Sequence, residues 1–326
     1  MIKRLCLVAA MVLVFSSCSA FAADMLPLVP QDSAFVFSVN LSQILSTQAV
    51  KDQFAENMKK APPKQRQAYD EFVQKTGIDP MKNLDQIMVF TAGQVSNDQQ
   101  KPDAGVLING NFNVDQILAA IKKDPKAGKD VTISTFQGYK AIIGNKESEG
   151  MGVFLDNGTA LIGSKEAIMK VAALKKGKGK SLESHSIFCS LLKKVDKTAS
   201  IWGAGLIPAE MKAKAMGTQA ASLASLDALF FSFKYDDNLM FNFNGEVDKK
   251  ENVEAVMTSL NGYLVMIKML SGQNAQAAEV LNLVKIKPIG TTVQITLNVP
   301  KAKLEAIRKK LEEKIKSGRM GGQNME

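Results

Sequence analysis

Residues 105–123, GVLINGNFNVDQILAAIKK, restrict the fold of this chain more than any other stretch. Their apolar start is too short for a helix and predicts a strand, which an Asn-Gly-Asn corner connects to a helix. Asn113 is suited to cap that helix. Four apolar residues then follow at the spacing of one helix face: Val114, Ile117, Leu118 and Ile121. A strand that turns directly into such a helix must lay the apolar stripe on its own sheet.

The same unit occurs again at residues 239–260, LMFNFNGEVDKKENVEAVMTSL. Asp248 and Glu251 have the spacing of a capping box, which favours a helix start after the strand. The apolar face is again regular: Val253, Val256, Met257 and Leu260. Two strand–corner–helix units in one chain predict two related lobes.

The order of the other elements supports this division. Residues 199–207 predict a strand that can be laid over residues 34–41, and each strand is followed by a helix and further antiparallel strands. Between the halves, residues 175–181 (KKGKGKS) contain no apolar side chain and two glycines, which is typical of a linker. The predicted fold is therefore α+β with two similar lobes, each a mainly antiparallel sheet with helices packed on one face. The predicted boundaries are 23–174 for the first lobe, 175–181 for the linker, 182–316 for the second lobe and 317–326 for a disordered tail.

One hairpin is predicted with particular clarity. Apolar runs at residues 151–155 and 159–162 flank Asp156-Asn157-Gly158. Asn-Gly between two apolar runs favours a type I′ turn because both central residues need positive φ.

The first 22 residues have the pattern of a signal peptide. Lys3 and Arg4 precede an apolar run of signal-peptide length, and Ala20-Phe21-Ala22 fits a signal-peptidase site. Alternatively, Ser16-Ser17-Cys18 resembles a lipobox, in which case Cys18 would be lipid-anchored. Both interpretations predict export, to the periplasm or beyond the cell. The longest later apolar run, residues 264–270, is short and contains Lys268, so no transmembrane helix is predicted in the mature chain.

The formal net charge is +9, and the excess is concentrated in residues 170–197 and 301–319. Such segments can contact anionic surfaces such as lipid headgroups or cell-wall polymers. The candidate contact residues are Lys175, Lys176, Lys178, Lys180, Lys309 and Lys310. The alternative is a solvated linker and a soluble surface, and no specific nucleic-acid partner is predicted.

The sequence does not show the common motifs of catalytic, metal-binding or phosphate-binding sites. His185 is the only histidine, so a Ser-His-Asp device would depend on it, and no nucleophile-elbow motif is present. His185 and Cys189 could share a helix face, but two ligands do not make a zinc site. Gly179-Lys180-Ser181 lacks the preceding glycine of a phosphate-binding loop. We therefore predict no catalytic, cofactor-binding or metal-binding residue, and no cofactor.

Methionine and phenylalanine are placed mainly at predicted core positions. Met257, Met266 and Met269 fall in one predicted helix, and core packing is the favoured interpretation. The pairs Phe231/Phe233 and Phe241/Phe243 are spaced by two on predicted strands, so each pair shares a sheet face. Sheet core is favoured for them, with an apolar ligand groove as the alternative.

Two short motifs carry a resemblance to known sequences. Pro30-Gln31-Asp32-Ser33-Ala34, leading into the first strand, resembles the start of a loose group of exported bacterial proteins of unknown function. Gly77-Ile78-Asp79-Pro80 is similar to a helix end in the same group. The resemblance covers mainly the first lobe. It implies a two-lobed α+β exported protein and brings no catalytic residue.

These observations predict an exported, non-enzymatic binding or scaffold protein of the bacterial envelope, with an envelope protein or polymer as its partner. A periplasmic carrier of a lipid or other apolar ligand is the first alternative. A hydrolase that uses carboxylates alone is the second, because two acids can meet from anywhere in a chain.

Overall fold

The computed structural model describes residues 24–93, 103–125, 127–145, 150–218, 221–235, 238–271 and 275–316. Several predictions lie outside these residues. They are the signal peptide with its alternative lipid anchor at Cys18 and the disordered tail at 317–326.

Twelve strands form one sheet among the described residues. The strands are β1 (Phe35–Asn40), β2 (Leu84–Thr91), β3 (Ala104–Gly110), β4 (Val131–Phe136), β5 (Tyr139–Gly144), β6 (Met151–Phe154), β7 (Thr159–Gly163), β8 (Ile201–Leu206), β9 (Leu226–Tyr235), β10 (Asn238–Val247), β11 (Lys285–Ile289) and β12 (Thr292–Pro300). Their order is β11-β12-β10-β9-β8-β1-β2-β3-β7-β6-β5-β4, and every neighbouring pair is antiparallel.

The helices connect the strands and lie on the sheet. They are α1 (Leu41–Ser46), α2 (Gln48–Lys60), α3 (Pro63–Thr76), α4 (Val114–Lys123), α5 (Ala127–Asp130), α6 (Lys165–Lys175), α7 (Ser186–Lys194), α8 (Ala209–Met216), α9 (Val253–Leu270), α10 (Ala275–Leu281) and α11 (Lys301–Lys316). The predicted strand–corner–helix units are β3 with α4 and β10 with α9. Asn113 caps α4 as predicted, since its side chain accepts a hydrogen bond from the amide of Gln116 at 3.1 Å.

A single sheet crosses from one half of the chain to the other. β1 and β8, the first strand of each half, pair in the middle of the sheet, with Val36 opposite Ala204 and Phe37 opposite Gly203. The predicted antiparallel sheet with helices is confirmed, whereas a separate sheet for each lobe is not found. Pairing these two strands removes the exposed edge that each half would otherwise present.

Helices cover both faces of this sheet, which corrects the prediction that they pack on one face. We call the face of Leu107, Leu161 and Trp202 the inner face, where α6 and α7 pack. The outer face carries Ile108 and Ala160 under α4 and, in the other half, Val293 under α9. Both faces are apolar along the central strands, so each face needs a cover.

The lysine–glycine segment at residues 175–181 is fixed to the start of the chain. The amide of Gln31 donates to the carbonyl of Lys180 at 3.0 Å, and the amide of Leu182 donates to the carbonyl of Val29 at 2.8 Å. Gly177 adopts a φ of 71°, in the left-handed region that favours glycine. The segment is therefore a turn held by backbone hydrogen bonds, and its role as a lobe boundary stays a prediction.

Candidate functional site: an apolar groove on the outer face

One row of mutually paired residues crosses the outer face from one edge strand to the other. In spatial order it consists of Ile286, Ile295, Phe243, Phe231, Gly203, Phe37, Val89, Val106, Ile162, Gly152, Ile142 and Ile133. Every side chain in the row is apolar, and glycine interrupts it twice. The outer face is therefore apolar across the whole width of the sheet.

The two glycines of this row have different surroundings. A Cβ atom on Gly203 would lie 2.7 Å from the ring of Phe231, so that ring already fills the space. Among the described residues, the atom closest to a Cβ atom on Gly152 would be Cγ1 of Ile162 at 3.8 Å. The row is thus filled at Gly203 and open at Gly152.

The open position forms part of the floor of a groove of about 640 Å³. The floor consists of Ile108, Ile142, Gly152, Phe154, Ala160 and Ile162. Phe72 and Ile78 contribute one wall from α3 and the segment after it, and Ile117 contributes another from α4. Among the described residues of the lining, Asp130 is the one that carries a charge. We call this site the α4 groove.

Large apolar side chains remain partly exposed in the α4 groove. Ile162 is 48% exposed and Phe72 is 44% exposed. Apolar surface in a concave site that the protein's own side chains leave uncovered is typical of a binding site.

The wall formed by the end of α3 is held in place by polar contacts. Gln116 of α4 donates through Nε2 to the carbonyl of Gln74 at 3.2 Å, which ties the two walls together. The hydroxyl of Tyr69 donates to Asp79 at 2.8 Å, and Lys82 pairs with the same carboxylate at 2.8 Å. The end of α3, which forms one wall of the groove, is therefore held both by α4 and by the segment that follows α3. We call the contacts of Tyr69 and Lys82 with Asp79 the brace.

This brace changes the ionisation of both partners. Burial, and then the hydrogen bond to Asp79, raise the pKa of Tyr69 to about 12. Burial would raise the pKa of Asp79, but hydrogen bonds from Lys82, Tyr69 and the amide of Met81 outweigh it, so the pKa is lower than usual. Asp79 therefore stays ionised and continues to anchor Tyr69 over the whole neutral range.

Four of the predicted contact lysines lie around the end of α6. Lys175 pairs with Asp156 at 2.6 Å, and Lys176 donates to the carbonyl of Gln137 at 2.6 Å while lying 5.5 Å from the centre of the Tyr139 ring. Lys178 and Lys180 are exposed. Two of the four are therefore engaged within the protein.

The other two predicted lysines belong to a different region. Lys309 and Lys310 are exposed on α11, which contacts β10 and β12, whereas α6 contacts β3, β6 and β7. Four strands separate β10 from β3, which corresponds to about 24 Å across the sheet. The structure does not bring the six lysines together into one surface.

The only histidine shares a cleft of about 400 Å³ with Ser33 and Asp32. Nδ1 of His185 accepts a hydrogen bond from the amide of Phe188 at 3.3 Å, as the cap of α7. Neutral His185 must then carry its proton on Nε2. In a catalytic triad Nε2 of the histidine accepts the proton of the serine hydroxyl, so this tautomer does not suit a triad.

Two described acids and Cys189 are engaged in contacts within the protein. Asp32 and Glu166 both bind Lys170, at 2.7 and 2.9 Å. Burial would lower the pKa of Lys170, but these two carboxylates raise it, so the ammonium stays between them. Cys189 donates to the carbonyl of Glu183 at 2.5 Å. Within the described ranges, no group of three or more His, Cys, Asp and Glu residues is placed to hold a metal ion.

The prediction of a methionine core is correct for Met257 and wrong for two other residues. Met257 packs against the cluster under α9, but Met266 is 50% exposed and Met269 is 77% exposed. The pairs Phe231/Phe233 and Phe241/Phe243 share one sheet face as predicted. The sheet-core prediction for them is wrong, because all four rings are only half-buried and belong to none of the buried clusters. None of them lines the apolar groove, which lies in the other half of the sheet.

The α4 groove was not located from the sequence. The signal that could have located it is Gly152 between two apolar strands of the predicted hairpin region, because glycine in a strand interior often marks close approach of a ligand. Its meaning depends on which residues lie beside it in β5 and β7, and that register is visible only in the folded sheet.

One helical stretch in the described part of the chain, Lys250–Leu270, is long and apolar enough to cross a membrane by length and composition. Only Val253 and Val256 of α9 are buried. The sequence prediction that the mature chain has no transmembrane helix stays a prediction. Comparisons of the chain with protein-family models, with curated proteins and with solved structures find no match.

Proposed function

We propose that this protein binds an apolar molecule of the lipid class in the α4 groove. The observation that carries the proposal is the open position above Gly152, in a row that is filled at its other glycine. Sites for small molecules typically measure about 300–1,000 Å³ and are lined mainly by apolar side chains, and the α4 groove of about 640 Å³ meets both conditions.

The lining of the groove narrows the chemistry of the ligand. Ile142, Phe154 and Ile162 offer apolar contacts along the floor, and Asp130 is the charged residue within the described part of the lining. A carboxylate or phosphate held beside Asp130 would be repelled, whereas an uncharged or cationic end group would not. We therefore propose an apolar chain or ring system with an uncharged or basic polar end.

The wider proposal combines this site with the sequence. The predicted signal peptide indicates an exported protein of the bacterial envelope, to which a non-enzymatic carrier role would be suited. The scaffold role and the carboxylate-dependent hydrolase remain alternatives. Asp32 and Glu166 both bind Lys170, and this arrangement supports neither the scaffold role nor the hydrolase.

Internal duplication is part of the same proposal. From the central pair outward, the first half has the order β1-β2-β3-β7-β6 and the second half has β8-β9-β10-β12-β11. These orders correspond if β12 matches β7 and β11 matches β6. Gly152 of the first half then corresponds to Ile286 of the second, and Ile286 packs in the cluster under α9. Under this proposal the groove occupies a position that the other half fills.

The test is a titration of the full chain with the uncharged fluorescent probe N-phenylnaphthylamine. Gly152→Leu places a side chain on the groove floor, and the space at its Cβ permits this without strain. Gly217→Leu is the matched control, because nothing lies within 4 Å of its Cβ position and it lies at the end of α8.

We expect the wild-type protein and Gly217→Leu to bind the probe alike, and Gly152→Leu to bind at least about tenfold more weakly. The thermal midpoint of Gly152→Leu should not fall, because glycine in a strand interior is itself destabilising. Equal binding by Gly152→Leu and the control would refute the groove as the site.

A further inference from the structure

The end of α9 carries an exposed apolar surface that nothing in the described chain covers. Residues 265–270, which we call the α9 tip, include Met269 at 77% and Leu270 at 78% exposure, together with half-exposed Val265, Met266 and Ile267. The first turns of the same helix are different, because Val253 and Val256 are buried on the sheet. The first turns of α9 thus pack against the sheet, whereas its last six residues are largely exposed to solvent.

The α9 tip is connected to the start of α11 through α10. α10 begins five residues after the end of α9 and contacts it. The ammonium of Lys303, near the start of α11, donates to the carbonyl of Glu279 in α10 at 3.4 Å and lies 3.8 Å from its carboxylate. The three helices therefore meet at one end of α9.

This end of the molecule is also basic. The sequence of α11 contains seven basic and three acidic residues, and Lys268 lies within the tip itself. Lys309 and Lys310, two of the residues predicted to contact an anionic surface, are exposed on α11. An apolar tip beside a cationic helix complements a surface that offers both acyl chains and negative charge.

We propose that the α9 tip and the lysines of α11 dock this protein on an anionic lipid bilayer. Successive residues of a helix point about 100° apart, so the five apolar side chains of the tip cover more than half of its circumference. A flat protein surface would leave part of them in water, whereas a fluid bilayer can surround them. The cores of protein–protein interfaces are also depleted of lysine.

This docking surface is separate from the α4 groove and does not depend on it. The α9 tip belongs to the half of the sheet with β10 and β12, whereas the groove lies over β5, β6 and β7. Probe binding in the groove, measured without vesicles, should be unchanged when the tip is altered, so the two proposals can fail independently.

The test is cosedimentation of the full chain with vesicles of phosphatidylglycerol and phosphatidylcholine, beside vesicles of phosphatidylcholine alone. The test variant is Met269→Ser with Leu270→Ser. Its matched control is Met211→Ser with Met216→Ser, which removes two similarly exposed side chains (61% and 68%) from α8. Light scattering without vesicles gives the oligomeric state of each protein.

We expect binding to the anionic vesicles that weakens as salt is raised, at least a tenfold loss in the α9 variant and no loss in the α8 control. Lys309→Glu with Lys310→Glu should lower the affinity several-fold and reduce its salt dependence. Failure to bind anionic vesicles at low salt, or equal binding by both methionine variants, would overturn the proposal. So would equal binding to both vesicle types, or a wild-type dimer that the α9 variant makes monomeric.

Discussion

The helices α4 and α9 both lie on the outer face, one in each half of the sheet, but they differ in how much of each helix the sheet covers. Both follow a strand directly, and both begin with an apolar face at helical spacing. α4 has ten residues and buries Val114, Ile117 and Leu118. α9 has 18 residues and buries only Val253 and Val256.

This difference distinguishes the apolar residues that stabilise the fold from the apolar residues that stay exposed to solvent. In α4 nearly every apolar residue contacts the sheet, so its apolar content is explained by stability. In α9 the first two turns have that role, and the α9 tip adds exposed apolar surface that does nothing for the fold. Exposed apolar groups of this extent are typical of an interaction site.

The two halves also differ in how the sheet itself is packed, and here the first half is the less filled one. At the position of Ile286 the second half is packed under α9, whereas at Gly152 the first half is open beside α4. The groove therefore lies in the first half, beside the well-packed helix α4. In the second half the corresponding part of the sheet is packed, but the end of its helix α9 is exposed. This is why we assign a ligand site to one half and a docking surface to the other.

The largest effect expected from this comparison is on stability. Leu118→Ala in α4 removes a side chain that is 8% exposed, and it should lower the free energy of unfolding by about 2–5 kcal/mol. Leu270→Ala in the α9 tip removes the same atoms from a side chain that is 78% exposed, and the change should stay within about 0.5 kcal/mol. Urea unfolding of both variants measures the contrast, and similar losses would show that the tip is packed in solution.

The brace beside the groove predicts a smaller effect that depends on pH. The pKa of folded Asp79 is lower than usual, so its stabilisation is complete above the ordinary value of about 4 and is lost as the pH falls through the folded value. Asp79→Asn should remove this loss on the acid side. The free energy of unfolding measured between about pH 2 and pH 6 tests it, and an unchanged profile would contradict the brace.

Tyr69→Phe tests the other partner of the brace. The pKa of Tyr69 is raised from 10.0 to about 12, so its contribution is complete below pH 10 and is lost as the pH rises through 12. The variant should lose about 1 kcal/mol at neutral pH, because a hydrogen bond is removed, and should flatten the alkaline side of the profile.

Asn113 and Asn252 precede α4 and α9, and the smallest expected effects concern these two residues. Asn113 accepts a hydrogen bond from the amide of Gln116, so Asn113→Ala should cost about 1 kcal/mol. The side chain of Asn252 makes no capping hydrogen bond and instead donates to Asp248 at 2.8 Å. Asn252→Ala should therefore cost less than Asn113→Ala in the same unfolding measurement, and the reverse order would show that α9 is capped differently in solution.

Local elements of this fold were predictable because their signals are local. The unit of β3 and α4, the cap at Asn113 and the pairing of β6 with β7 all follow from patterns within about twenty residues. Gly77 likewise ends α3 with a φ of 71°, as its sequence context predicts.

The predicted type I′ turn is wrong, because neither Asn157 nor Gly158 has a positive φ. Positive φ at two successive residues occurs instead at Gln137 and Gly138, between β4 and β5.

Long-range features were not predictable from such patterns. The pairing of Val36 with Ala204 joins residues that are 168 positions apart in the sequence, and neither strand carries a mark of its partner. The periodicity of α9 predicts a buried face, but it does not show that the sheet supports only the first turns. The α4 groove depends on the neighbours that β5 and β7 place beside Gly152, and a single sequence does not contain that register.

Native mass spectrometry of the purified full chain, with Gly152→Leu beside it, measures whether the α4 groove holds a lipid-class molecule. The wild-type protein should retain an apolar, lipid-class molecule in one-to-one ratio, or take one up when lipid extract is added. The Gly152→Leu variant should carry none under the same conditions. A wild-type protein that stays free of lipid in the presence of the extract, or a variant that retains the same molecule to the same extent, would contradict the account.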